Sequence, residues 1–259
     1  MARTKQTNSV DGSGAIYNAL NQLPEVPARN PDGSFGMQTE NMYGTYFSNP
    51  LSDLIQNENY SRSTQVYVNA FADIKLWKGL VFRTEYAANY NYNTGYRFTP
   101  SYDYEFFKQQ SSASRSAGNG SNWTLKTYLT YNGTFGKHNV SVMAGHEAQE
   151  NNWESLDGSR TNFLFNSVHE LNAGDATTAK ANSSRGSSAI ESYFGRLNYN
   201  FADRYLLTAT LRADGSSSFA KESRWGWFPS VALAWKVNNE AFLKDVEAIN
   251  SLKLRLGWG

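Results

Sequence analysis

The 259-residue sequence predicts an all-β fold, a portion of an antiparallel transmembrane β-barrel with about eight strands. Three observations carry this. Apolar and polar residues alternate through segment after segment, as they do where successive strand side chains face lipid and water. The connections between segments are short, then long, in turn. Aromatic residues make up 15% of a chain whose mean hydropathy is only −0.59, and they gather near segment ends.

The chain begins with little periodicity. Residues 1–61 read as a loop region with a short helix near Ala15–Leu20, and Asn30-Pro31-Asp32-Gly33 and Asn49-Pro50 are turn signals. Alternation starts at Thr64. Val66, Val68, Ala70, Ala72, Ile74 and Leu76 share one face; Gln65, Tyr67, Asn69, Asp73 and Lys75 share the other, with Phe71 the exception. Trp77-Lys78-Gly79 turns the chain. The second strand repeats the scheme, with Leu80, Phe82, Tyr86 and Ala88 opposite Arg83, Glu85 and Asn89. Residues 93–121, rich in Ser, Gly and Tyr, read as a long loop. A third strand sets Trp123, Leu125 and Leu129 against Lys126 and Thr130, and Gly136-Lys137-His138 leads into a fourth, Val140–Ala148. Residues 150–188 read as the next long loop.

The clearest strands follow. Tyr193, Gly195, Leu197, Tyr199 and Phe201 alternate with Arg196, Asn198 and Asn200. After Ala202-Asp203-Arg204, Tyr205, Leu207, Ala209 and Leu211 alternate with Thr208, Thr210, Arg212 and Asp214. A loop near Gly215–Arg224 precedes Trp227, Val231, Leu233 and Trp235. A last strand sets Leu252, Leu254, Leu256 and Trp258 against Lys253 and Arg255. A β-sandwich alternates too, but its hairpin loops are usually short at both ends, and the long loops here fall on one side.

Composition excludes other classes. Net charge is +1, without the basic excess of a nucleic-acid binder. No cysteine is present, so disulfides and thiolate chemistry are absent. His138, His146 and His169 lack metal-ligand spacing, no catalytic triad or phosphate-binding motif occurs, and neither catalytic residue nor cofactor is expected.

The segments SYFGRLNYNFADRYLLTATLRADGSSSFA, SRWGWFPSVALAWKV and INSLKLRLGWG resemble the SusC/RagA group of TonB-linked outer-membrane transporters. SGAIYNALNQLPEVPARNPDGSFG and LWKGLVFRTEY resemble earlier barrel segments of that group, so the resemblance runs in order through nearly the whole chain. It implies residence in the outer membrane of a Gram-negative bacterium, and uptake of an oligosaccharide or peptide without enzymatic chemistry. It implies a plug domain that engages the TonB complex, and a SusD-like surface lipoprotein as partner. Residues 1–61 then stand as an extracellular loop region and 62–259 as part of the barrel. Signal, plug and closing strands are expected in a longer protein, with Met1 falling inside it; the piece alone is expected not to form a heat-modifiable barrel.

Candidate sites follow from this frame. Arg83, Glu85, Lys126, Arg196, Arg212, Asp214, Lys253 and Arg255 are expected to line the lumen. Trp77, Trp123, Tyr199, Phe201, Tyr205, Trp227 and Trp235 are expected in the two aromatic girdles where barrel meets interface. In the outer loop, Tyr96, Phe98, Tyr102 and Tyr104 are candidates for stacking on substrate sugar rings. Separately, Ala2–Thr7 (ARTKQT) resembles the start of the amino-terminal tail of the third core histone. A free-ended peptide there is the expectation of the second reading, a soluble interaction protein.

Overall fold

A computed structural model describes residues 2–7, 12–37, 48–104, 107–243 and 249–259 of the protein. One antiparallel sheet organises them. In chain order its strands are β1 (Ala2–Thr7), β2 (Glu58–Trp77), β3 (Leu80–Thr99), β6 (Ser112–Phe135), β7 (His138–Thr161), β8 (Lys180–Phe201), β9 (Tyr205–Ser216), β10 (Trp225–Lys236) and β11 (Lys253–Trp258). Each strand pairs with its neighbours in that same order, a meander without crossovers. A separate hairpin joins β4 (Tyr102–Tyr104) to β5 (Phe107–Gln109). Two helices precede β2: α1 (Gly12–Asn21) and α2 (Pro50–Gln56).

Apart from β1, the strands of this sheet are the eight that alternation predicts. The short turns are as short as expected, and each has a physical reason. Gly79 takes a φ of +82°, and a Cβ there would stand 2.2 Å from the Asn132 carbonyl oxygen, so only glycine fits. At the β8–β9 turn, Ala202 and Asp203 both take left-handed φ values, 52° and 55°. Leu207 pairs with Tyr199 and Leu233, and Ala209 with Leu197 and Val231, so the apolar face is in register across three strands.

Three expectations need correction. The loops at 93–121 and 150–188 are largely strand: β3 runs on to Thr99, β6 starts at Ser112, β7 reaches Thr161 and β8 starts at Lys180. The loops proper are 100–111 and 162–179. Gly, Ser and Asn on both faces hide the alternation there, yet the ladder hydrogen bonds hold them in strand. Second, Asn49-Pro50 opens a helix instead of a turn. The Asn49 Oδ1 caps α2 by accepting from Leu51 N at 2.9 Å and Ser52 N at 3.1 Å, with Pro50 in the first turn where its missing N–H costs nothing. Third, Ala2–Thr7 is not a free peptide: it pairs along β2 from Ala2↔Gln65 to Thr7↔Tyr60.

The chain divides into two compact units. The first comprises residues 1–66, 90–120 and 153–186, the second 67–89, 121–152 and 187–259. The first holds an apolar cluster of Tyr96, Phe98, Ala113 and Phe163, with Tyr60 and Leu171 packed against it. The second buries little. Val68, Ile74, Leu125, Leu129, Val142, Leu211, Leu233 and Leu254 are exposed large apolar side chains in it. An exposed apolar surface of that extent marks contact with something other than water.

Candidate functional site

The polar face of the second unit carries a band of paired charges. Strict alternation delivers it: each charged residue has the parity opposite to the apolar residues of its strand. The Arg83 guanidinium meets Glu85 at 2.7 Å and Asp73 at 3.5 Å, and lies 4.6 Å from the Phe71 ring centroid. Tyr128 donates its hydroxyl to Glu85 at 3.1 Å. Glu147 joins two strands, pairing with Lys126 at 2.9 Å and Arg212 at 3.3 Å. Arg212 also pairs with Asp214 at 2.7 Å and donates to Ser192 Oγ at 3.0 Å. Glu85, Lys126, Glu147, Arg196 and Arg212 surround a recess of about 420 Å³ floored by Gly195 and walled by Phe194.

This band brings together Arg83, Glu85, Lys126, Arg196, Arg212 and Asp214 of the predicted lumen residues. Lys253 and Arg255 lie exposed on β11, where Lys253 pairs in register with Lys236 and Arg255 with Ala234. Glu147 is the hub that the strand reading passed over. Its signal was available: it falls out of parity with Val140, Val142 and Ala148 in its own strand.

The magnitudes say what such a band requires. Lys126 and Arg212 side chains keep 37% and 40% of their exposure. Pairs of that kind are worth about 0–1 kcal/mol in water, whereas an ion left unpaired in a dry interior costs about 3–5 kcal/mol. Apart from Glu147 at 17%, the paired charges of both signs keep 31–43% of their exposure, which fits a wetted wall. Carboxylates and cations alternate along it, and it carries no excess of either sign to trap an ion. Among the described residues, no three His, Cys, Asp or Glu side chains come together as a metal site.

The aromatic residues expected in the girdles gather toward the strand ends. At the short-turn end, His138 lies 6.0 Å from Tyr199 and 4.8 Å from Phe201; Phe201 lies 6.3 Å from Tyr205, and Tyr205 6.4 Å from Trp235. The rings thus form one continuous row. Glu240 ties the row to the β10–β11 connection by accepting from the Tyr205 hydroxyl at 2.7 Å, Trp235 Nε1 at 3.0 Å and Arg204 at 3.0 Å. These bonds, Tyr205 first, then Trp235 and Arg204, hold its carboxyl below the usual range. Trp77 is 80% exposed at the end of β2. Toward the other end, Trp123 Nε1 donates to Glu150 at 3.2 Å, and Trp227 stands exposed near Trp225, whose ring lies 5.9 Å from Tyr193.

The loop tyrosines are another matter. Tyr96, Phe98 and Tyr102 are buried. Phe98 stacks on His169 at 4.0 Å and meets Phe163 edge-on at 5.5 Å; Tyr96 packs on Tyr60 at 5.1 Å, with the Arg115 guanidinium over its ring. Tyr102 shares a hydrogen bond with Ser52 at 2.9 Å. Their faces are covered by protein, so the expectation of open stacking platforms gives way to a loop core. Apolar rings close in sequence bury one another when the loops holding them are long enough to fold back. The Tyr104 side chain lies outside the described residues.

A family model described as TonB dependent receptor-like, beta-barrel matches residues 4–259. The chain belongs to that family. TonB-dependent receptors are proteins of the Gram-negative outer membrane, which places this chain there. TonB-dependent receptor P3 of Formosa agariphila is 31% identical over 255 residues, 98% of this chain and 25% of that protein. TonB-dependent receptor SusC of Bacteroides thetaiotaomicron is 40% identical over 141 residues, 53% of this chain and 13% of SusC. Among solved structures, the RagAB peptide transporter superposes with a TM-score of 0.76 over 87% of this chain and 26% of that one, at 22% identity, a likeness of fold. The chain thus spans about a quarter of the length of P3 and of the RagAB chain.

Proposed function

We infer that this chain is barrel wall in a TonB-dependent importer that carries an oligosaccharide or a peptide across the outer membrane. One observation supports the reading above the rest: a single ladder with an exposed apolar face and, on the opposite face, half-exposed charges paired across strands. Lipid accounts for the first and a water-filled lumen for the second. Arg83, Glu85, Lys126, Arg196, Arg212 and Asp214 line that lumen, with Lys253 and Arg255 continuing it on β11. Trp77, Tyr199, Phe201, Tyr205 and Trp235 sit at the periplasmic interface, and Trp123 and Trp227 at the outer one. Residues 1–61 lie on the extracellular side.

Import requires two partners in this reading. The TonB complex supplies energy through a plug domain of the complete protein, and a SusD-like surface lipoprotein delivers substrate. The test is uptake by cells carrying the full-length gene. Growth on oligosaccharide or peptide mixtures as sole carbon source should stop when TonB is deleted and return when it is restored. Growth that persists without TonB overturns the reading.

A further inference from the structure

Trp153 stands apart from every aromatic residue assigned so far. It lies in the middle of β7, in neither the short-turn ring row nor the buried loop cluster, and its side chain is 47% exposed. Along β7 it has the parity of Ser155, so the two leave the strand on the same side. Neighbouring contacts agree: Ser155, two residues on, bonds Ser184 through their hydroxyls at 2.8 Å, while Glu154 accepts from Asn119 on the opposite side. A large apolar surface on a face otherwise made of hydroxyls and amides needs an explanation.

The indole lies flat. A Cβ built on Gly186 of β8 would stand 2.7 Å from Trp153 Cε2 and Cζ2 and 2.8 Å from Nε1, so the ring rests directly on the Gly186 backbone. One side of the ring is thereby supported, and the residue keeps 47% of its exposure. Glycine is required at 186 for this posture; any side chain there would lift the ring on edge. The same arrangement recurs nearby, where a Cβ built on Gly120 would stand 2.9–3.3 Å from the Asn91 amide.

The surroundings are neutral and rich in hydrogen-bonding groups. Gly118 lies beside Ser155, so two residues on in each antiparallel strand Gly120 lies beside Trp153. Asn91 and Asn93, bonded at 3.4 Å, and Ser155 and Ser184 complete the patch. Among the described residues of this patch none is charged, in contrast to the charge band; Glu154 and Arg185, next to Ser155 and Ser184 in sequence, have the opposite parity. An exposed π-face flanked by amides and hydroxyls complements a ligand that offers a C–H face and many hydroxyls at once. A charged peptide would leave its charges unanswered.

We propose that Trp153, laid flat on Gly186, is a stacking subsite for a neutral sugar ring of the imported substrate, which makes that substrate an oligosaccharide. This rests on the importer reading above. The test uses the complete transporter with its surface lipoprotein, purified in detergent, and two probes: an array of neutral oligosaccharides and an array of peptides. The intact protein retains one or more oligosaccharides. Trp153→Ala weakens that retention about tenfold, or about 1.4 kcal/mol, Gly186→Val weakens it comparably, and Trp153→Phe restores most of it. Heat-modified mobility on an unheated gel must be unchanged in each variant, and Trp153→Phe supplies the comparison if Trp153→Ala fails to assemble. Retention of peptides alone overturns the proposal while leaving TonB-dependent import standing. So does oligosaccharide retention that is indifferent to both positions. Loss of TonB-dependent uptake of every probe overturns the importer reading instead, and the proposal with it.

Discussion

At the scale of single residues, the turn at Ala202-Asp203 shows how local strain is held. Both residues sit in the left-handed region, where a Cβ costs about 1–2 kcal/mol. What offsets the strain is visible around them. Ala202 N donates to Lys137 O at 2.8 Å, linking adjacent short turns, Lys236 pairs with Asp203 at 2.5 Å, and Asn239 donates to the Asp203 carbonyl at 2.7 Å. Asp203 therefore has work beyond its conformation, and Ala202 has none. Ala202→Gly should accordingly stabilise the assembled barrel by about 1 kcal/mol, less the added freedom of the unfolded chain. The urea midpoint of the full-length protein, read as the folded band on an unheated gel, checks this; a lower midpoint means that the turn is not strained.

At the scale of elements, the connection between β10 and β11 is the one that departs from the short-turn pattern. It runs from Val237 to Leu252, and Glu240 fastens it to the ring row through Tyr205, Trp235 and Arg204. The carboxyl is held below its unfolded value, so its contribution is present above about pH 4.3 and is lost as pH falls through the folded value. Protease sensitivity of this connection in the full-length protein should rise on acidification below that point. Glu240→Gln should make it sensitive already at neutral pH and flatten the acid dependence. An unchanged profile in the variant would show that Glu240 does not hold the connection. Sequence could not show Glu240 in this role, because its partners lie in two other segments and neither spacing nor periodicity links them. The strands near the turns were legible for the opposite reason: lipid on one face and water on the other force an alternation that any reader can follow. Where Ser, Gly and Asn fill both faces, in Ser112–Gly120 and Lys180–Ser188, no apolar alternation is written, and strand reads as loop. The buried trio Tyr96, Phe98 and Tyr102 was misjudged, and Trp153 was passed over. Composition marks an aromatic residue, but only the fold says whether glycine beneath it leaves a face open or a neighbouring ring closes it.

At the scale of the whole molecule, the claim to be tested is that the ladder's two faces meet different solvents. A sandwich and a barrel both protect the apolar face from water, so protection alone does not separate them. The character of what touches that face does. The chain contains no cysteine, so single cysteines placed in it report cleanly from this region. On β9, Thr208 and Thr210 share the side of the Asn198 and Ser230 hydroxyl and amide contacts, while Leu207 and Ala209 share the apolar side. In the full-length protein in vesicles, cysteines at Thr208 and Thr210 should react with a charged thiol reagent that cannot enter lipid, and those at Leu207 and Ala209 should not. A fluorophore attached at Leu207 should then be quenched by a lipid carrying a quencher on its acyl chain, and one at Thr208 should not. Quenching at Leu207 needs lipid in contact with β9, which a protein-packed sandwich face excludes. Its absence, with labelling at Thr208 intact, would mean that protein covers the apolar face and that lipid does not.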